Sequence, residues 1–254
     1  MHRVIPFLTM QNADLIKTKL FSNPKYVGDP INAVKIFNEK RVDELFVCDI
    51  GCNIYGYKPN FDLIQKIANE CRMPLGYAGG ISSTNDVDRL IEIGVEKVGI
   101  GNAAEINPDI ISDAAKNVGS QSVLAIVNLT NSGFKKKISI YQRYKSLMKN
   151  YNFIEYIQLL QRKGAGEIVI NFANRDGTGI GLDIETISEI YNAIDIPITI
   201  VGGVGAFEHI QFALNKFPCI GIGVGKHFIF HGKYDAVLIK YLSTEEKELL
   251  NKET

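Results

Sequence analysis

Short apolar runs recur along the chain, alternating with segments in which apolar residues return every three or four positions. The runs Val4–Leu8, Leu45–Ile50, Leu75–Ala78, Lys97–Ile100, Val123–Val127, Ile168–Phe172, Ile198–Val201 and Ile220–Val224 have the length and β-branched or glycine content of buried strands. Between most of them the periodicity predicts amphipathic helices: Ile31–Lys40, Phe61–Cys71, Val87–Ile93, Ile110–Asn117, Phe153–Arg162, Ile184–Ala193 and Phe207–Leu214. A polar loop is expected as well between the first two runs. Alternating strand and helix argues a parallel sheet covered by helices. Eight such units in 254 residues match the count and size of a (β/α)8 barrel of the TIM type, an α/β fold expected as one domain over residues 1–254.

The two halves resemble each other. Met73-Pro74-Leu75-Gly76-Tyr77-Ala78-Gly79-Gly80 matches Ile196-Pro197-Ile198-Thr199-Ile200-Val201-Gly202-Gly203 at an offset of 123 residues. Glu44 and Glu167 stand at the same offset, and Gly99-Ile100-Gly101 matches Gly223-Val224-Gly225 at 124. The barrel reads as a doubled half-barrel, so chemistry is expected between two equivalent binding sites.

Composition narrows the classes. With 28 Lys+Arg against 28 Asp+Glu and a pI near 6.9, there is no electrostatic reason to expect a nucleic-acid or acidic-membrane partner. No apolar run approaches the ~18 residues of a membrane span, and Met1-His2-Arg3-Val4 has no signal-peptide layout, so a cytoplasmic protein is expected. Cys48, Cys52, Cys71 and Cys219 form no CxxC, Cys48 and Cys219 lie in strand-like runs, and reduced thiols are expected. His209, His227 and His231 lack partner spacing for zinc; no metal or cofactor is expected. Lys135-Lys136-Lys137 and the Tyr- and Lys-rich Tyr141–Tyr156 region read as solvated surface, and Thr244–Thr254 as a charged surface tail.

Glycines cluster where strands should end: Gly79-Gly80, Gly99 and Gly101, Gly177 with Gly179 and Gly181, Gly202-Gly203 with Gly205, and Gly223 with Gly225. In barrel enzymes the site forms at that face. Backbone without side chains lets N–H groups close around an anion. Gly202-Gly203 with Gly225-Lys226, and Gly177 nearby, predict one phosphate cradle; Gly79-Gly80 with Gly101-Asn102 predicts a second on the opposite side. Two facing cradles imply a long substrate phosphorylated at both ends. The plainer alternative is that these glycines only permit tight turns and close packing.

Several stretches also resemble a known family: Arg3-Val-Ile-Pro6, Gly28-Asp-Pro30, Asp43-Glu-Leu45, Gly119-Ser-Gln121, Gly164-Ala-Gly-Glu167, Asn174-Arg-Asp-Gly-Thr178 and Gly202-Gly203. The chain resembles HisF, the cyclase subunit of imidazole glycerol phosphate synthase, over essentially its whole length. Asn23–Glu39 is similar to a side branch of HisF-like proteins associated with sugar amidation in surface-polysaccharide gene sets. The resemblance implies a HisH-type glutaminase docked on the bottom of the barrel, releasing ammonia that crosses the core and reacts at the top. It implies a floor of four charges, matched here by Arg3, Glu44, Lys97 and Glu167; Glu96 falls at the glutaminase interface and Lys17 on a mobile loop over the site. Two cations and two anions near strand starts at one barrel end must pair with one another, so a purely structural ion cluster is the alternative.

The match fails at the chemistry. The family assigns cyclisation to two aspartates ending the first and fifth strands, but Thr9 and Asn128 stand there, and a third family aspartate is replaced by Asn174. Neither Thr nor Asn titrates near neutrality, though Asn128 can orient ammonia or an oxyanion through its amide. Asp49 and Asp176 are the remaining carboxylates expected at the barrel mouth, with turn capping or pairing to Arg175 as the alternative for Asp176. Gly101-Asn102 replaces an Asn-Thr pair and Lys226 a serine of the family's phosphate sites. Three functions follow as expectations: an ammonia-handling synthase subunit serving sugar amidation, the histidine-pathway cyclase itself, or a non-catalytic barrel that activates the glutaminase.

Overall fold

A computed structural model of the chain describes residues 3–132, 137–140 and 152–252. Eight strands form its centre: β1 (Arg3–Gln11), β2 (Leu45–Asp49), β3 (Leu75–Ala78), β4 (Lys97–Ile100), β5 (Val123–Ser132), β6 (Glu167–Phe172), β7 (Ile198–Val201) and β8 (Gly221–Val224). Each pairs in parallel with the next, and β8 returns to β1 in the register Arg3↔Gly221 to Pro6↔Val224. Closure leaves the barrel no free edge. The expected strands all appear, and the fold is the (β/α)8 barrel that the alternation predicted.

Among the described residues the barrel is covered by helices between its strands: α1 (Pro30–Glu39), α2 (Phe61–Glu70), α3 (Thr84–Glu92), α4 (Asp109–Val118), α5 (Phe153–Arg162), α6 (Ile184–Tyr191) and α7 (Phe207–Lys216). Local chemistry sets their starts. Asp29 caps α1 by accepting from the Asn32 N–H at 2.8 Å, with Pro30 at the position where a missing N–H costs nothing. Ser83 and Asp86 form a capping box, so α3 begins before the Val87 at which its apolar periodicity becomes visible. Val87 and Leu90 then bury completely, each contributing about 1.5–3 kcal/mol. The tail forms α8 (Thr244–Lys252), which is anchored by buried Leu250.

Two expectations need correction. The polar loop after β1 is a hairpin, Asp14–Lys19 against Ser22–Gly28, whose first strand also pairs antiparallel with the end of β1. Cys219, read as part of a strand, is exposed and precedes β8 with a left-handed φ of 72°. Lys135, Lys136 and most of the Tyr141–Tyr156 region lie outside the described residues. Among the described residues no helix is long and apolar enough to cross a membrane.

Strand alternation sends one set of side chains outward against the helices and another into the barrel. The interior set is apolar: Ile5, Phe7, Phe46, Ala78, Leu124, Ile126, Val169 and Val201. Phe7 and Phe46 stack with ring centroids 4.7 Å apart. The room they need comes from glycine on a neighbouring strand, since a Cβ added at Gly76, paired with Phe46, would lie 2.3 Å from the Phe46 ring. This plug separates a charged floor from an open top.

Candidate functional site

The open top is a cavity of about 490 Å3 at the C-terminal ends of the strands. Gly79, Gly80, Gly101, Asn102, Gly177, Gly202, Gly203, Gly225 and Lys226, named from sequence as phosphate-binding, all line it. Because β3 and β7 stand four strands apart in a ring of eight, the two glycine clusters face each other across the opening. Gly203 shows what the glycines do: its φ is +102°, and a Cβ there would sit 2.1 Å from the Gly181 carbonyl oxygen. The Gly181 N–H donates to the Gly203 carbonyl at 2.8 Å, clamping two loops together with no side chain between them. Lys226 lies at the rim, its Nζ 3.3 Å from Asp235 Oδ1.

The residues expected at the two catalytic strand ends are each hydrogen-bonded within the chain. Thr9 donates its hydroxyl to the Ile16 carbonyl of the hairpin at 2.6 Å. Asn128 accepts from Asn171 Nδ2 at 3.3 Å through its side-chain oxygen. Asn171, which sequence reasoning missed, lines the same cavity, and its buried Oδ1 has no hydrogen-bond partner among the described residues. Its only signal in the sequence was a polar residue in the apolar run of β6.

Asp176 receives Lys17 Nζ, the Thr18 hydroxyl at 2.6 Å and the Phe21 N–H at 3.3 Å. The alternative pairing with Arg175 is overturned, because Arg175 donates to the Gly181 carbonyl at 3.1 Å and approaches Asp183 at 3.5 Å. Lys17, expected on a mobile loop, is buried in a hairpin strand, and its Cε approaches the bare backbone of Gly225. One salt bridge thus straps the hairpin over the mouth. Asp49 is also corrected: it is buried, absent from the cavity lining, and caps the short helix Ile50–Tyr55 through the Gly51 N–H at 2.9 Å. Burial raises its pKa against the hydrogen bonds it accepts. Burial likewise pushes the Cys48 thiol to about 12, so this cavity-lining sulfur is no nucleophile near neutrality.

The floor is one charge cluster. Arg3 reaches Glu44 at 2.9 Å and Glu167 at 3.1 Å, and Lys97 reaches the same two at 2.8 and 3.3 Å. Thr199, unnoticed in the sequence, donates its hydroxyl to Glu167. Burial raises the Glu167 pKa, but Arg3 and Lys97 outweigh it and hold the carboxyl below its ordinary value. Arg3 is raised in turn, its burial outweighed by Glu167 and Glu44. Glu96 is exposed beside Lys97. Among the described residues no group of three His, Cys, Asp or Glu side chains is placed to hold a metal.

Relatives cover nearly the full chain. It is 41% identical over 246 residues to a Vibrio vulnificus protein provisionally named imidazole glycerol phosphate synthase subunit hisF3, covering 97% of this chain and 95% of the relative. It is 38% identical to the provisionally named hisF2 of Pseudomonas aeruginosa, covering 94% and 95%. The imidazole glycerol phosphate synthase subunit hisF1 of the same Vibrio vulnificus strain is 31% identical, covering 84% and 85%. The family model described as histidine biosynthesis protein matches residues 3–235. By this match, by its closed barrel and by relatives of nearly its own length, the chain belongs to the histidine biosynthesis protein family and within it to the HisF proteins.

Proposed function

We propose that this chain is the synthase subunit of a glutamine-dependent amidotransferase that takes ammonia from a HisH-type glutaminase at its floor and supports amidation of a sugar or nucleotide-sugar. One observation carries the reading: the floor cluster is complete while, among the described residues, the mouth offers no free pair of carboxylates. Arg3, Glu44, Lys97 and Glu167 form a hydrogen-bonded polar gate, and above it the interior is hydrocarbon. Taking an ion into that interior costs far more than taking a small neutral molecule, which favours passage of ammonia over ammonium. At the top, the Asn128 and Asn171 amides can orient ammonia by accepting its N–H, and the glycine cradles can hold a phosphorylated ligand. Proton shuttling in a ring closure requires a group that titrates; Thr9 and Asn128 do not, and Asp176 is held by three donors. The higher identity to hisF3 than to hisF1 of one strain supports a role beside the histidine-pathway subunit.

The second reading, cyclase of histidine biosynthesis, rests on the names of the relatives and on Asp176, whose carboxylate lines the cavity. The test measures glutaminase activity of the cognate partner with and without this chain, beside an assay for imidazole glycerol phosphate from ammonia and substrate. Glutaminase stimulation without imidazole product supports an ammonia-handling subunit. Imidazole product overturns that in favour of the cyclase. Stimulation that persists when Glu167 is changed to Lys, with the barrel folded and coupled ammonia transfer unchanged, removes the gate and leaves a barrel that only activates the glutaminase.

A further inference from the structure

A second hollow of about 350 Å3 lies behind the Gly225–Lys226 turn, outside the barrel mouth. Among the described residues its charged lining is lopsided, Lys226 and Lys240 against Asp235, and the His227 and His231 rings line it beside them. Asp235 is spent on Lys226 at 3.3 Å. Lys240 is part-buried and held in place by its backbone N–H, which donates to the Phe228 carbonyl at 2.8 Å. Its ammonium group makes no ion pair among the described residues. Burial and then Lys240 lower the pKa of His227, against the Gly205 backbone, Glu246 and Glu208, which favour its charged form. A concave site whose cations outnumber their partners complements an anion.

The wall between this hollow and the mouth is thin. Gly179 and Gly205 line the hollow from the loops that carry Gly177 and Gly203 into the mouth, and a Cβ on Gly205 would sit 2.3 Å from the Gly179 carbonyl. Lys226 lines both spaces.

We propose that this hollow is a second anion site, separate from the mouth, that takes a phosphoryl group between the Lys240 and Lys226 ammonium groups, with the His227 and His231 rings as hydrogen-bond partners. The phosphoryl group comes either as free phosphate or as the outer phosphate of a ligand whose inner phosphate sits against Gly203. The site stands on its own residues and does not depend on the amidotransferase reading.

The experiment follows the His227 and His231 ring resonances and the backbone amides by NMR, titrating inorganic phosphate and separately pyrophosphate at constant ionic strength. Saturable movement of both histidines is expected. Lys240→Gln should weaken phosphate binding about fivefold or more and Lys240→Arg should keep it, as expected for loss and retention of one charge-assisted contact. Tighter pyrophosphate binding that also moves the Gly203 amide identifies a bridging ligand; phosphate and pyrophosphate confined to the histidines identify a free-phosphate site. Unsaturable shifts, or equal affinity in Lys240→Gln with its amide spectrum otherwise intact, overturn the proposal. Movement of the Gly202 and Gly203 amides with still histidines also overturns it, while leaving phosphate binding at the mouth standing.

Discussion

Glu167→Gln removes one negative charge from the floor while keeping the shape of the side chain. In the native cluster two cations share two carboxylates, and Glu167 accepts from Arg3, Lys97 and Thr199 at once. Removing one partner of a fully buried pair costs about 3–5 kcal/mol. Here Arg3 and Lys97 keep Glu44 and are 28% and 22% exposed, so water offsets part of the loss. About 2 kcal/mol remains, equivalent to a fall of roughly 4–8 °C in Tm for a chain of this size. The pH dependence has a definite sign. The folded pKa of Glu167 is depressed, so its contribution is complete above the ordinary value of 4.5 and is lost as the pH falls through the lower folded value. Urea unfolding followed by circular dichroism should show the full difference at neutral pH and a shrinking one well below 4.5. A neutral-pH difference under about 0.5 kcal/mol, the size of an ordinary surface change, or one equally large in acid, would refute a charge-coupled floor.

Asp176→Asn should loosen the hairpin without unfolding the barrel, because it leaves buried Lys17 without its counter-charge. Tryptic cleavage at Lys17, Lys19 and Lys25 should quicken about tenfold for each 1.4 kcal/mol lost from local closure, with the global unfolding midpoint as the control. Glu105, on the short helix Asn102–Ile106, has its pKa raised to about 7 by burial. Its ionised form is therefore disfavoured in the folded state, and the penalty grows as pH rises from 4.5 to 7. Glu105→Gln should stabilise the protein by about 1 kcal/mol at pH 8, discounted for partial exposure, and by nothing measurable below pH 4.5, read by thermal melts at both values.

The strand and helix order and the glycines facing the mouth were legible in the chain because each is a local signal. Apolar runs make strands, 3.6-residue periodicity makes helices, and bare backbone marks loops that pack too closely for side chains. The hairpin after β1 was not legible. Its turns use Asn12-Ala13 and Leu20-Phe21 with left-handed φ values from 54° to 67°, residues that, apart from Asn, carry no turn signature. What sustains the second turn is distant in sequence: the Leu20 N–H donates to the Asp176 carbonyl at 2.9 Å and the Phe21 N–H to its carboxylate. The same long-range contacts decided which carboxylates are free. Asp49 and Asp176 are alike on paper, yet one caps a helix and the other binds the strap, and Asn171 entered the site only because β5 and β6 pair side by side. The chain alone determined which elements form and where charge and glycine fall. Only barrel closure, which brings residues more than 150 positions apart into contact, decided which polar groups satisfy one another and which remain open for a ligand.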